Sequence, residues 1–189
     1  MEKKRLYILV ACGLPLMVCS GLVYSMFSLY MFDVLETPKT QIGLIYMLGS
    51  AVGLLFGPFL GNLSDRFGRK PIILASMASF VATFVLYAFV RHYVWVYPIQ
   101  VLEGTAWVAI SAADTAYISD IISEEKRGWA MGVHQQMISV GWMIGPAVGG
   151  FLSDIVGFRN VFIIGATLVT IGFTMAFFLV KESHPRRRT

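Results

Sequence analysis

The chain has 189 residues, 57% hydrophobic and only 14% charged, with a mean hydropathy of +0.70, more apolar surface than a soluble domain of this size can hide. Lipid is therefore its expected solvent. The net charge of +4 and the pI near 9.2 do not point to nucleic acid, because the basic residues stand in short clusters between long apolar runs.

A membrane-crossing helix needs about 20 mostly apolar residues. Six windows meet this in chain order: Leu6–Phe32, Ile42–Leu63, Pro71–Val90, Val94–Ile118, Trp129–Leu152 and Val161–Val180. The predicted fold is an all-α membrane protein, a single six-helix bundle over 1–189. Met1–Arg5 and the box Leu9-Val10-Ala11-Cys12 resemble a signal sequence, but the apolar run continues to Phe32, too far for a signal core. Cys12 and Cys19 lie about 10.5 Å apart along one helix, which excludes a disulfide between them and leaves two small packing residues. The joining loops are short, about three to ten residues, which predicts that consecutive helices are antiparallel neighbours.

Six spans put both termini on one side. If that side is cytoplasmic, it holds Lys3, Lys4, Arg5, Arg66, Arg69, Lys70, Lys126, Arg127, Lys181, Arg186, Arg187 and Arg188, leaving Lys39, Arg91 and Arg159 outside. Twelve against three predicts cytoplasmic termini in a multi-pass cell-membrane protein.

The chain repeats itself. The second window ends Gly57-Pro58-Phe59-Leu60-Gly61, then Leu63-Ser64-Asp65, Gly68 and Arg69. The fifth ends Gly145-Pro146-Ala147-Val148-Gly149, then Leu152-Ser153-Asp154, Gly157 and Arg159. Gly57 to Gly145 is 88 residues and Asp65 to Asp154 is 89, with one residue inserted. The first copy ends inside and the second outside, so spans one to three and four to six read as an inverted 3+3 repeat, a construction used by secondary transporters.

The run Gly61-Asn62-Leu63-Ser64-Asp65-Arg66-Phe67-Gly68-Arg69-Lys70 between spans two and three resembles the signature of the major facilitator superfamily, G-x-L-[SA]-D-R-x-G-R-[RK], at every specified position. Gly61 and Gly68 are expected to supply tight turns and close helix approach, and Asp65 and Arg69 a charge-assisted pair. Ala116-Tyr117-Ile118-Ser119-Asp120, with Glu124-Glu125-Lys126-Arg127-Gly128 after it, resembles the family's loop between spans four and five. Gly157-Phe158-Arg159 resembles its turn before span six. Gly141, Gly145, Pro146, Gly149 and Gly150 match the span-five pattern G-x-x-x-G-P-x-x-G-G, which the family associates with antiporters and exporters. The bland reading of that stripe is a generic packing face.

The resemblance implies half of a twelve-span architecture and secondary transport of a small organic solute, proton-coupled and in the efflux direction. It implies a second six-helix half, or a homodimer in its place, and a gating cluster of Asp65, Arg69 and Asp120. The alternatives are a half that does not transport, a membrane adaptor or, more weakly, a channel. One departure concerns span four, where many exporters carry an Arg four residues before a Gly; here Gln100 stands four before Gly104.

Glu103 and Asp114 are the only charged residues inside a window. Each costs about 2.5–3.5 kcal/mol if inserted ionised at mid-bilayer. Eleven residues apart, they fall within about 20° of each other on a helix, so both are expected to face one polar cavity, with Glu103 as the coupling carboxylate. Tyr24, Met26, Phe27 and Tyr30 offer an adaptable apolar wall, although such residues are more often packing. His134 reads as an interfacial hydrogen-bonding residue. The sequence has no metal-ligand spacing, phosphate-cradling loop or nucleophile–base arrangement, so neither a cofactor nor an enzyme activity is expected.

Overall fold

The computed structural model describes residues 2–183. Among them are six long α-helices: α1 (Glu2–Leu29), α2 (Lys39–Phe67), α3 (Arg69–Phe89), α4 (Val96–Ile121), α5 (Arg127–Val156) and α6 (Phe158–Leu179). A π-turn, Tyr30–Val34, extends α1, and single 3-10 turns precede α4 and α5. The helices run past the apolar windows into charged residues at their ends. Arg186, Arg187 and Arg188 of the positive-inside count lie outside the described residues.

Five of these segments are long and apolar enough to cross a membrane. The exception is α4, although at 26 residues it has the length. It carries Gln100, Glu103 and Asp114, and all three are buried against other helices. A helix screened by its neighbours does not need an apolar surface all round.

The packing follows only in part the expectation that consecutive helices are neighbours. The principal contacts are α1 with α5 and α6, α2 with α4, and α3 with α4 and α6. Only α3 and α4 are both consecutive and closely packed. The short connections fix which ends meet, but small residues decide which faces meet. A Cβ on Gly104 of α4 would lie 2.7 Å from the Gly49 carbonyl of α2. On α5, a Cβ on Gly145 would lie 2.6 Å from Leu22 N and from the Val18 carbonyl of α1. These crossings bring backbone against backbone, which only a missing side chain allows.

Gly68 and Gly157 end α2 and α5 at φ of +99° and +77°, and the next helix begins one residue later in each case. Gly61, by contrast, lies inside α2 with nothing within 4 Å of a Cβ position, so its expected turn and close approach are not found. Gly150 is equally open, whereas Gly141, Gly145 and Gly149 all press on α1. The span-five stripe is thus a three-glycine seam rather than a four-glycine one.

This difference generates a test. Gly145→Leu must force α1 and α5 apart and should cost about 1–3 kcal/mol. Gly150→Leu should be near neutral. Thermal unfolding of the two variants in detergent checks the contrast; equal midpoints would refute the seam.

Candidate functional site

Two polar centres stand out, one at the basic end of the bundle and one in its middle. At the basic end, the Arg69 guanidinium is nearly buried and donates to Asp120 Oδ2 at 3.1 Å, to Ser64 Oγ at 3.2 Å and to Asp65 Oδ1 at 2.5 Å. The residues singled out in sequence as Asp65, Arg69 and Asp120 are therefore in contact, joining the ends of α2, α3 and α4. Arg66 turns outward over the Phe67 ring, and Lys70 donates to the Phe177 carbonyl of α6 at 2.7 Å.

Sequence reasoning missed the last member. The Glu182 carboxylate, from the segment after α6, accepts the backbone N–H of Arg69 at 2.9 Å and of Lys70 at 3.2 Å. It caps the otherwise unpaired first turn of α3 with the charge that a helix N-terminus favours. A side chain on Gly68 would collide with Glu182, its Cβ falling 2.5 Å from the carboxylate. Arg5 of α1 holds the same segment through the Lys181 and Glu182 carbonyls, and Ser183 donates to Asp120 at 3.0 Å. The available signal was a lone acid, Glu182, in an otherwise basic stretch; nothing in its spacing gave the partner.

In the middle of the bundle, an open cavity of about 280 Å³ is lined by Tyr24 of α1, Tyr46 and Ser50 of α2, and Gln100, Trp107 and Val108 of α4. A second, of about 540 Å³, continues from Trp107 and Val108 past Ser111 to Thr115 and Ala116. The α4 residues on this path recur every three to four positions and form one helix face. Trp107 Nε1 donates to the Tyr24 hydroxyl at 3.1 Å, fixing two aromatic walls against each other. Of the span-one aromatics, Tyr24 alone lines the cavity. Phe27 packs on Tyr87, Tyr30 donates to the Tyr87 carbonyl, and Met26 meets Ser153.

Glu103 and Asp114 do not face this cavity, which corrects the expectation drawn from their shared helix face. Glu103 is 1% exposed and sits behind the wall, 2.6 Å from the Tyr87 hydroxyl of α3. The same hydroxyl is 3.0 Å from Gln100 Oε1. Asp114 is buried beside a small enclosed void bordered by Leu9, Cys12, Ile73 and Met77. Its Oδ2 lies 3.3 Å from Nε2 of His134 on α5, which gives the hydrogen-bonding role expected of His134 a defined partner. The two acids do share a face, as their spacing requires, but that face points into the bundle. Helical periodicity gives the angle between side chains and not the direction of the solvent. One carboxylate oxygen of each acid has no partner in the structure. Cys12 and Cys19 are buried free thiols. Among the described residues no three potential ligands gather at a metal-binding distance.

These features can be set beside known proteins. Multidrug resistance protein 2 of Bacillus subtilis (strain 168) is 28% identical over 96% of this chain and 45% of its own length. Multidrug resistance protein MdtG of Proteus mirabilis (strain HI4320) is 32% identical over 78% of this chain and 37% of its own. The tetracycline resistance protein, class C, of Escherichia coli is 31% identical over 81% and 38%. The chain thus spans less than half the length of each. Among solved structures, the human organic anion transporter MFSD10 (TETRAN) aligns with a TM-score of 0.78 at 17% identity, over 99% of this chain and 49% of that one, a likeness of fold. The profile of the Major Facilitator Superfamily matches residues 9–189. With that match over nearly its whole length, and with the Gly61–Lys70 signature in place, the chain belongs to the major facilitator superfamily.

Proposed function

We propose that this bundle is one half of a proton-coupled secondary transporter that moves a small organic solute outward across the cell membrane. The observation that carries the reading is the aromatic and amide wall of Tyr24, Tyr46, Gln100 and Trp107, open on one side and backed by the buried carboxyl of Glu103. A wall without a far side calls for a second six-helix bundle, either another half or a second copy of this chain about a two-fold axis. The relatives, named as multidrug and tetracycline resistance proteins, favour export.

An inverted 3+3 repeat is supported by the packing. Exchanging α1 with α4, α2 with α5 and α3 with α6 turns the α1–α5 contact into α4–α2 and the α1–α6 contact into α4–α3, and leaves α3–α6 in place. All of these are principal contacts. Pro58 and Pro146 also hold matching positions inside α2 and α5.

The basic end is cytoplasmic in this reading, with both termini on that side. The Asp65–Arg69–Asp120 cluster then fastens the cytoplasmic ends of α2, α3 and α4, and favours the state open to the outside. Asp65→Asn removes one ionic arm from Arg69, while Asp120 and Glu182 stay in place. A thiol introduced at Ser111, on the cavity path, should then react faster with an impermeant maleimide applied from the cytoplasmic side, with the helical circular dichroism unchanged. An unaltered rate would reduce the cluster to a topology signal, and reaction from the opposite side alone would reverse the orientation.

Glu103 is the coupling carboxylate in this scheme. It is shielded from lipid and water, one helical step from the cavity wall, where a proton taken from one side can be released to the other. Glu103→Gln keeps the shape and mimics the protonated acid. In proteoliposomes it should reduce pH-gradient-driven solute accumulation to the level of protein-free vesicles and leave passive exchange largely intact. Asp114→Asn should do less, because His134 already pairs with that acid. Uphill transport by Glu103→Gln at the wild-type rate would rule out proton coupling at this site.

A further inference from the structure

With the Gln100 amide turned as in the structure, its carbonyl towards Tyr87, the hydrogen-bond count around the phenol does not close unless a proton is added. The phenol has one proton, yet two acceptors lie within reach of its oxygen, Glu103 Oε2 at 2.6 Å and Gln100 Oε1 at 3.0 Å. Tyr87 and Glu103 are both buried, so bulk water does not reach the phenol oxygen to make up the difference. With Glu103 ionised, its carboxylate takes the phenol proton and the Gln100 carbonyl faces the phenol oxygen with no hydrogen between them. With Glu103 protonated, both contacts become hydrogen bonds: Glu103 O–H donates to Tyr87, and Tyr87 O–H donates to the Gln100 carbonyl.

The other end of the Gln100 amide meets the cavity. Its Nε2 lies over Gly49 of α2, 2.5 Å from where a Cβ would stand, and both Gln100 and Gly49 line the 280 Å³ cavity. Half a turn of the terminal amide exchanges its N–H₂ and C=O ends with little change of shape.

We infer that Tyr87 is a two-way relay that converts the protonation of Glu103 into a change in the hydrogen-bonding character of the solute cavity. In the protonated state the chain runs Glu103 to Tyr87 to the Gln100 carbonyl, and the amide N–H₂ faces the cavity. In the ionised state it runs from the Gln100 N–H to Tyr87 to the carboxylate, and the amide carbonyl faces the cavity. One proton is gained or lost at Glu103 Oε2, and every other hydrogen only changes its direction of donation. A solute that presents a hydrogen-bond donor, such as an ammonium or amide N–H, is held by the ionised state and disfavoured by the protonated one, which makes solute and proton compete. The remaining titratable groups facing Glu103 are Tyr24 on α1 and Tyr46 on α2, both phenols. Among the described residues no cation is in hydrogen-bond or ion-pair contact with the acid. Tyr87 is a positioning residue here, acting through Gln100. The relay deepens the reading of Glu103 as the coupling carboxylate and rests on it.

Infrared difference spectroscopy during a pH titration of the full chain in lipid nanodiscs, with carbon-13 in the glutamine side-chain carbonyl, tests the relay without a solute. A carboxyl band absent from Glu103→Gln and an amide band absent from Gln100→Leu should titrate together in the wild type. In Tyr87→Phe the carboxyl band should still titrate while the amide shift is lost. A still amide band beside a titrating carboxyl in the wild type would overturn the relay and leave the coupling carboxylate standing. An amide band that still shifts in Tyr87→Phe would overturn the role of Tyr87. A Glu103 carboxyl that never titrates would overturn both. Should Tyr87→Phe fail to fold, ring-labelled tyrosine in the wild type decides: a tyrosine C–O band must move with the carboxyl band, and its stillness refutes the relay.

Discussion

The structure depends on keeping the polar face of one helix away from lipid. The chain is an integral membrane protein, and hydrocarbon offers no partner to a carboxyl or an amide. Gln100, Glu103 and Asp114 all lie on α4, so α4 must be enclosed. Helices α3 and α2 flank it, and Tyr24 and the void beside Cys12 bring α1 to its inner face. The five more apolar segments leave large side chains such as Leu54, Phe59, Met143 and Phe151 exposed, where lipid or another protein surface is their natural solvent. The division of labour is compositional: helices that tolerate hydrocarbon cover the acidic face of one that does not.

Enclosure requires close approach, and close approach needs small residues where backbones cross. The α2–α4 crossing at Gly49 and Gly104 and the α1–α5 crossing at Gly141, Gly145 and Gly149 serve this purpose. The α2–α4 crossing also shapes the cavity, because the space left over Gly49 receives the Gln100 amide. Packing and site therefore share residues. A side chain at Gly49 would both push α2 outward and displace the group that faces the cavity. At the basic end, the Glu182 carboxylate joins a helix cap to a charge cluster, so the segment after α6 is held to three helices at once: to α3 by the backbone cap, to α1 by the Arg5 guanidinium and to α4 by the Ser183 hydroxyl.

Much of this was legible in the sequence, for reasons that are local. The helices follow from runs of apolar residues, and the Asp65–Arg69 pair follows from a four-residue spacing. The family follows from a contiguous signature. What was not legible is what depends on which faces meet. Short loops suggested consecutive neighbours, yet glycine seams far apart in the chain chose α1 with α5 and α2 with α4. The shared face of Glu103 and Asp114 followed from helical periodicity, but the cavity lies one step round the helix, along Gln100, Trp107 and Ser111. His134 and Glu182 looked like isolated polar residues because their partners, Asp114 and the α3 N-terminus, are 20 and more than 100 positions away in the chain.

The central claim is that α4 divides into a face that lines an aqueous solute path and a dry face that carries the acid. Single-cysteine scanning along α4, in a background with Cys12 and Cys19 replaced by Ala, tests this most directly. Introduced thiols at Gln100, Trp107, Val108, Ser111 and Thr115 should react with a small water-soluble maleimide. Thiols at Glu103, Ile110, Ala113 and Tyr117 should stay unreactive until the bundle is unfolded, so that reactivity follows the helical period with one maximum on the cavity face. Equal reactivity on both faces, or a maximum centred on Glu103 and Asp114, would contradict the account and return the two acids to an open cavity.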